Sequence, residues 1–235
     1  MSFDYAQMIQ VISVGALPVI FAITLHEAAH GFVAYRLGDD TAWRMGRVTF
    51  NPIRHIDLLG TIILPLVLFA ATWPHPFVFG YAKPVPVRFD RLNHPRRDMV
   101  WVALAGPGTN FALALISAIL LAGVHFLPPI FRTWSDASLQ LSVLFNLIIG
   151  VFNMIPLPPL DGGRVAVGLL PDFLAIPLAR TERYGLIALI ALVFVLPLLG
   201  QHFHMDLNVI WWVIERPIEW LYNLIHWLTG VDLGP

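Results

Sequence analysis

The chain has 235 residues, of which 57% are hydrophobic and only 12% are charged. A soluble domain carries about 25% charged residues, so the composition predicts an integral membrane protein, with residues 1–235 forming a single domain. The formal net charge of −1 offers no basic surface for nucleic acid. Because the sequence contains no cysteine, it excludes disulfide bonds, cysteine-ligated zinc and thiol catalysis.

The first predicted element is a membrane helix over residues 5–37. Its only formally charged residue before position 36 is Glu27, which is flanked by His26 and His30. Residues four positions apart project from the same face of a helix. Two imidazoles so placed suit one tetrahedral Zn²⁺, with the intervening carboxylate beside its open position. An ionisable group inside a membrane helix is expensive, so we expect this stretch to carry the function.

An irregular segment separates this helix from the next long apolar stretch. Residues 58–73 carry no charge but number only 16, fewer than the roughly 20 that a spanning helix needs. Residues 48–50 have the character of a short strand. Residues 77–87, FVFGYAKPVPV, contain two prolines, which an edge strand tolerates and a central strand does not. We therefore expect a short re-entrant and β-strand insertion between the first two core helices.

Two further core stretches follow the insertion. Residues 99–127 form a predicted span that contains AGPGTN at 105–110. The next span, residues 137–160, runs into NMIPLPPLDGGR at 153–164, where the prolines must break a helix. Broken backbone at membrane depth is tolerated only inside protein or against a watery cavity, so this break also marks a candidate functional position.

The C-terminal part, residues 184–235, combines another predicted span with an aromatic tail. Residues 184–205 contain no Asp, Glu, Lys or Arg. The tail from residue 206 carries four tryptophans, which are typical of a membrane interface. The predicted fold class is an all-α polytopic membrane protein with about four to six membrane helices. Its core motifs are expected in residues 21–37, 99–127 and 137–172.

A catalytic zinc takes three protein ligands, so a third ligand must come from another segment. The candidates are Asp161, Asp57, His55 and the remaining loop carboxylates. Asp161 is favoured because it follows the broken helix and precedes two glycines, which allow close approach of the backbone. An ordinary Asp-Gly turn is the alternative interpretation of that residue.

Two asparagines lie beside the helix irregularities. Asn110 ends AGPGTN, and Asn153 begins the proline-rich motif. Neutral amides in these places suit hydrogen bonding to the scissile carbonyl or to the substrate backbone. They would equally suit the carbonyl groups that an interrupted helix leaves unpaired.

Three motifs together resemble the site-2 protease family of zinc metalloproteases, which cut substrate helices within the membrane. They are HEAAHG at 26–31, AGPGTN and NMIPLPPLDGGR, in the order and spacing of that family. GRVTFNPIRHID and GYAKPVPV are similar to its compact bacterial and archaeal subgroup, which lacks PDZ and CBS domains. The resemblance implies one Zn²⁺ per chain with these residues in named roles: ligands His26, His30 and Asp161, base Glu27, oxyanion or substrate contact Asn153, and substrate contact Asn110.

The resemblance implies a zinc-dependent intramembrane endopeptidase that hydrolyses peptide bonds in transmembrane segments, as in regulated intramembrane proteolysis. The expected partners are the lipid bilayer and a membrane-protein substrate with a transmembrane helix, first cleaved by another protease; no nucleic acid is expected. The alternative is a non-hydrolytic metal-binding membrane protein or a transporter. Glu27 argues against a structural metal site, and a transporter would more naturally show paired broken helices in two similar halves.

The predicted edge strand offers a place for an extended substrate, because strand addition uses free backbone groups. The candidate substrate-binding residues are Gly80, Tyr81, Ala82, Lys83, Pro84 and Val85.

The basic residues predict an orientation. If residues 58–73 are re-entrant, twelve of the fourteen Lys and Arg residues fall on one side of the membrane, against Arg132 on the other and Arg216 in the tail. The positive-inside rule assigns the basic side to the cytoplasm. We therefore expect a multi-pass protein of a prokaryotic cytoplasmic (inner) membrane, with its active site towards the cytoplasm.

Overall fold

The computed structural model describes residues 5–71 and 80–233, which fold mainly into helices. A π-helical turn, Leu58–Ile63, leads directly into α3, and another, Ala191–Val195, joins α8 to α9. The α-helices in chain order are α1 Tyr5–Arg36, α2 Thr41–Arg44, α3 Leu64–Ala71, α4 Pro95–Ala122, α5 Pro129–Asn153, α6 Asp161–Leu169, α7 Asp172–Arg180, α8 Glu182–Ile190, α9 Leu196–His202 and α10 Val209–Thr229.

Four helical stretches among the described residues are long and apolar enough to cross a membrane. They are Ile9–Arg36, Pro95–Ala122, Pro129–Asn153 and Glu182–His202. The protein is therefore an all-α polytopic integral membrane protein, as the composition predicts. A shorter apolar helix, Leu58–Ala70, accounts for the described part of the stretch in which a re-entrant segment is expected.

The long helices begin and end at capping residues and prolines. α4 starts at Pro95, earlier than the apolar pattern predicts, and the carboxylate of Asp98 accepts a hydrogen bond from the backbone N–H of His94 at 2.8 Å. α5 likewise starts with a proline, Pro129, at its first position. Proline is favoured there because it has no N–H that the first turn would leave unpaired. α5 ends at Asn153, before the proline-rich break that the sequence predicts.

α4 lies at the centre of the bundle. α1, α5, α6 and α10 all pack against it. Its contact with α5 and α10 contains small buried side chains such as Ala114 and Ala118, packed against Val143 and Leu147 of α5. Small residues let membrane helices approach closely, which is the main source of their packing energy in a lipid solvent. α4 also packs along α1, and this contact places its AGPGTN motif against His26 and His30.

The predicted β-strands are not found in the described part of the insertion. Residues 48–50 form bends, and residues 80–88 have no regular secondary structure; residues 72–79, which include the start of the predicted edge strand, lie outside the described residues. The N–H groups of Tyr81 and Lys83 donate to the carbonyls of Gly60 and His55, at 3.0 and 2.9 Å. Those acceptors belong to turns, so no neighbouring strand is present to form the ladder that defines a sheet.

Candidate metal centre

Three ligand atoms from α1 and α6 converge at one point inside the bundle. His26 Nε2 lies 3.1 Å from His30 Nε2. Asp161 Oδ2 lies 3.2 Å from the first of these nitrogens and 3.3 Å from the second. All three residues are buried. The structure therefore brings the two predicted histidines of α1 together with the favoured third ligand, which is more than 130 positions away in the sequence.

The hydrogen bonds of the two imidazoles determine which ring nitrogen faces this point. His30 Nδ1 lies 2.7 Å from the carbonyl oxygen of Val102, which can only accept, so Nδ1 carries the proton. His26 Nδ1 lies 2.6 Å from Asn110 Oδ1 and donates to it in the same way. In the neutral rings both Nε2 atoms then present lone pairs. Within the described residues no group donates a hydrogen bond to Asp161 Oδ2, so three acceptors face one another in a buried space.

A zinc ion fits this donor set. Ligand atoms about 2.0–2.1 Å from a tetrahedral Zn²⁺ are separated by roughly 3.3–3.4 Å, close to the 3.1–3.3 Å found between these three atoms. Three converging lone pairs repel one another unless a cation lies between them, and a buried carboxylate needs a positive partner. The residues therefore match the ligands and the geometry of a catalytic zinc site with an open fourth position.

Gly106, in the AGPGTN motif of α4, makes room for the site. A Cβ atom built at this position would lie 2.4 Å from His30 Nε2 and 2.6 Å from His26 Nε2. Any side chain there would therefore occupy the space in front of the metal-facing nitrogens. The requirement for glycine explains why this motif belongs to the site although it contributes no ligand atom.

Asp161 reaches the site because the chain breaks between α5 and α6. It is the first residue of α6, where the N-terminal end of a helix stabilises a negative charge. The following Gly162 and Gly163 pack directly on the broken segment: a Cβ on either would lie 2.2–2.3 Å from backbone atoms of Met154 or Pro158. The predicted close approach of the backbone at these glycines is confirmed.

Glu27 lies beside the ligands without being one of them. Its Oε2 accepts a hydrogen bond of 2.7 Å from the backbone N–H of Val85, in the extended segment after the insertion. It is half-buried, whereas the three ligands are buried. Val85, at the end of residues 80–85, thus contacts the candidate base, although this segment forms no strand.

The two asparagines predicted at the site have different surroundings. Asn110 is completely buried, and its Nδ2 donates to the carbonyl of Ala22 and to Asn146 Oδ1. Its hydrogen bonds are thus used to hold His26. Asn153 is half-buried and donates from Nδ2 to the carbonyl of Ile149, one helical turn back, at 3.0 Å. Both donate to backbone carbonyls of helices, Asn110 to one of α1 and Asn153 to one of α5.

The other candidates for the third ligand have structural partners elsewhere. His55 Nε2 hydrogen-bonds to the carbonyl of Thr49 at 3.1 Å. Asp57 Oδ1 accepts the N–H of Gly60 at 2.8 Å and so caps the π-helical turn. Neither residue belongs to the cluster of possible metal ligands among the described residues.

Asn146 is a further polar residue next to the site, and it lies in none of the three sequence motifs. It is 1% exposed on α5, accepts from Asn110 and donates to the carbonyl of Ser142 at 2.9 Å. A chain of hydrogen bonds therefore runs from α5 through α4 to His26. An amide within the apolar run of α5 is the signal that could have identified it, because unpaired polar groups are costly inside a membrane protein.

Replacing Asn110 by leucine should weaken zinc binding about 10–100-fold, because partners that orient a histidine ligand typically contribute that much. Asn146 is one hydrogen bond further from His26, so Asn146→Leu should also weaken zinc binding, but by a smaller factor. Competition with a chelator of known affinity measures both effects. Ser117→Ala is the control: it removes the hydrogen bond to Ser142 at 2.8 Å, which lies beyond Asn146 at the end of this chain of hydrogen bonds, and should leave zinc affinity nearly unchanged. Unchanged zinc affinity in Asn110→Leu would contradict the orienting role.

Comparison with known proteins identifies relatives over most of the chain. The family model for Peptidase family M50 matches residues 14–136 and 129–197. YwhC of Bacillus subtilis strain 168, which carries the name of a zinc metalloprotease, is 40% identical over 186 residues, or 77% of this chain and 80% of its own length. Rip2 of Mycobacterium tuberculosis H37Rv, similarly named, is 30% identical over 83% of this chain and 71% of its own length. No solved structure matches the chain.

Proposed function

The chain belongs to peptidase family M50, the site-2 protease family of zinc metalloproteases, and from that premise we propose that it hydrolyses peptide bonds within transmembrane segments of membrane proteins. It is an integral membrane metalloprotease, and its role is regulated intramembrane proteolysis. The substrates are membrane proteins with a transmembrane helix that another protease has already trimmed. One zinc ion per chain is held by His26, His30 and Asp161.

The observation that carries the proposal is the convergence of three possible ligand atoms, from His26, His30 and Asp161, beside a carboxylate that is not one of them. A structural zinc site is closed by four protein ligands, whereas a catalytic site keeps one position open. Within the described residues only three possible ligands meet here. A binding protein would need no base next to an open position, so Glu27 favours hydrolysis over simple metal binding.

The chemistry divides between the metal and Glu27. When bound by these ligands, zinc supplies the Lewis acidity that makes a water molecule nucleophilic and polarises the scissile carbonyl. Val85 N–H holds Oε2 of Glu27, which leaves Oε1 to take the proton from the attacking water. As the oxygen of that water bonds to the carbonyl carbon and the carbon–nitrogen bond breaks, Glu27 passes the proton to the leaving amine. Asn153 is assigned to contact the substrate or its oxyanion.

The function is tested by zinc-dependent cleavage of a single-span membrane protein in proteoliposomes. Removal of zinc by a chelator should abolish cleavage, and added zinc should restore it. Cleavage that continues in protein shown to be free of metal would contradict the proposal.

Residues 80–85 are proposed to hold the substrate extended beside Glu27. A helical substrate hides its amide groups and must unwind before attack. The N–H groups of Tyr81, Lys83 and Val85 are used by the protein itself. The N–H of Ala82 has no hydrogen bond within the described residues, and Pro84 has no N–H. The carbonyls of Tyr81, Lys83 and Pro84 also have donors, namely Thr61 for the first and Arg47 for the other two. The N–H of Ala82 is therefore the donor that this segment can offer to the substrate.

Replacing Ala82 by proline should raise the KM for a membrane substrate about two- to tenfold, the value of one hydrogen bond, without loss of zinc. Ala82→Ser keeps the N–H and serves as the control. An unchanged KM in Ala82→Pro would remove this segment from the substrate site.

The charge distribution supports a location in a prokaryotic cytoplasmic membrane with the active site towards the cytoplasm. Twelve of the fourteen Lys and Arg residues fall on the side of the membrane that holds the insertion if residues 58–73 are re-entrant. Positively charged loops are retained in the cytoplasm.

Cysteine labelling tests this orientation directly, because the native chain contains no cysteine. Arg91→Cys, at an exposed position after the insertion, should react only with reagents that reach the cytoplasm. Arg132→Cys, exposed near the start of α5, should react only from the opposite side. Labelling of Arg91→Cys from outside the cell would overturn the re-entrant arrangement.

A further inference from the structure

Arg47, which lies between α2 and the π-helical turn, is a buried cation that forms no ion pair with the residues that the structure describes. The residue is 7% exposed. Within residues 5–71 and 80–233, all the ion pairs that involve an arginine are formed by arginines other than Arg47. A buried charge that lacks a partner is strongly destabilising, so the position of this guanidinium requires an explanation.

The guanidinium of Arg47 contacts the backbone of the proposed substrate segment. Nη2 donates to the carbonyl oxygen of Lys83 at 2.7 Å and to that of Pro84 at 3.3 Å. The carbonyl of Pro84 and the N–H of Val85 belong to the same peptide group. That N–H donates to Glu27 Oε2 at 2.7 Å. One peptide group therefore lies between the positive charge of Arg47 and the negative charge of Glu27.

A trans peptide group is well suited to this position. Its C=O and N–H point in opposite directions, so its dipole is favourable when a cation lies at the oxygen and an anion at the N–H. Hydrogen bonds in such a chain polarise and strengthen one another in a low dielectric. The two charges thus stabilise each other through the peptide group, although no ion pair joins their side chains among the described residues.

Arg47, and not the neighbouring His55, is the cation that faces Glu27 across the peptide group. His55 is also near both charges, but burial lowers the pKa of its imidazole and Arg47 lowers that pKa further. A neutral His55 contributes its backbone instead: its carbonyl accepts the N–H of Lys83. At the far end of the segment, Asp39 Oδ2 accepts the N–H of Arg88 at 2.6 Å. The segment is thereby held at both ends, with Arg47 at the peptide group that meets Glu27.

We propose that Arg47 is a positioning residue for Glu27, acting through the peptide group that joins Pro84 to Val85. It fixes that group so that Val85 N–H holds Oε2, and Oε1 remains directed to the attacking water. It also offsets the charge of Glu27 in the interior of a membrane protein. This inference rests on the proposed function, since it assigns Arg47 a role only if Glu27 is the base.

The test combines kinetics with a thermal double-mutant cycle. Arg47→Gln should lower kcat about tenfold or more, in line with the contribution of a correctly positioned base, with one zinc still bound and with a smaller change in KM. Arg47→Lys keeps the charge and should recover part of kcat. Arg44→Gln removes a charge from the adjacent exposed ion pair with Asp40 and should leave kcat unchanged.

The stability cycle reports the coupling without requiring activity. The fall in melting temperature caused by Arg47→Gln should shrink by about half or more in a Glu27→Gln background, because residues that share a network are not additive. If Arg47→Gln does not fold alone, it should fold in that background. Additive losses, failure to fold in both backgrounds, or a wild-type kcat in Arg47→Gln would each overturn the inference.

The proposed function fails separately from this inference. If Glu27→Gln retained cleavage, Glu27 would not be the base at all. If Glu27→Gln were inactive while Arg47→Gln behaved as the wild type, only the role of Arg47 would be lost.

Discussion

Replacing Glu27 by glutamine should lower cleavage of a membrane substrate by about 10²–10⁴-fold, the usual contribution of a positioned general acid–base. Glutamine has the size of glutamate and can still accept the N–H of Val85 through its carbonyl oxygen. It has no basic carboxylate, so the proton of the attacking water has no acceptor at Oε1. Single-turnover cleavage in proteoliposomes measures the loss.

Zinc content should not change in Glu27→Gln, because Glu27 is not among the three converging ligands. Thermal stability should fall, because Arg47 then loses the negative charge that it faces through the peptide group of Pro84 and Val85. Glu215→Gln makes the same substitution on α10 and should cleave at the wild-type rate. A wild-type rate in Glu27→Gln would refute the protease mechanism, and loss of zinc would make Glu27 a ligand.

Gly106→Ala should remove zinc from the protein, although the residue carries no ligand atom. The added Cβ would lie within 2.4–2.6 Å of atoms in both imidazole rings. Each ring is tied at Nδ1, to Asn110 or to Val102, so neither can move aside without breaking a buried hydrogen bond. We expect zinc affinity to fall by more than the roughly 100-fold that outer partners of a ligand contribute.

The same motif provides the control for this prediction. A Cβ on Gly108 would meet no atom of the other described segments within 4 Å, so Gly108→Ala should keep zinc and activity. Asp161→Ala should lose zinc as Gly106→Ala does, whereas His55→Ala and Asp57→Ala should retain it. Metal analysis of the purified variants separates these outcomes. Full zinc occupancy in Gly106→Ala would show that the histidines do not bind the metal through Nε2.

Local periodicity allowed the two histidines and the base to be predicted from the sequence. Residues four positions apart share a helix face whatever the helix packs against, so His26 and His30 could be paired without knowledge of the fold. Membrane character followed from composition, because an apolar stretch long enough to cross a bilayer is typical of a transmembrane helix. The break before Asp161 followed from the prolines, which cannot continue a helix.

The sequence patterns predicted strands that the described residues do not form, and they predicted the wrong first residues for α4 and α5. Both features depend on hydrogen-bond partners that a local pattern does not include. A strand needs a neighbour to form its ladder, and residues 80–88 instead donate to turns and to side chains. α4 and α5 begin earlier than their apolar patterns because Pro95 and Pro129 suit the first turn of a helix. The first residues of α4 and α5 are thus set by the residues that cap the helix, and these precede the first apolar residues of each helix.

By itself the sequence determined the membrane class, the family motifs and the ligand candidates, since all of these depend on residue type and on short spacings. Only the tertiary structure decided what Gly106, Asn146 and Arg47 contact. Gly106 clears space for imidazoles of another helix, Asn146 completes a hydrogen-bond chain across two helices, and Arg47 meets Glu27 through a peptide group of a third segment. Their partners lie far away in the chain, and close packing of helices and loops, which no local pattern encodes, brings them together.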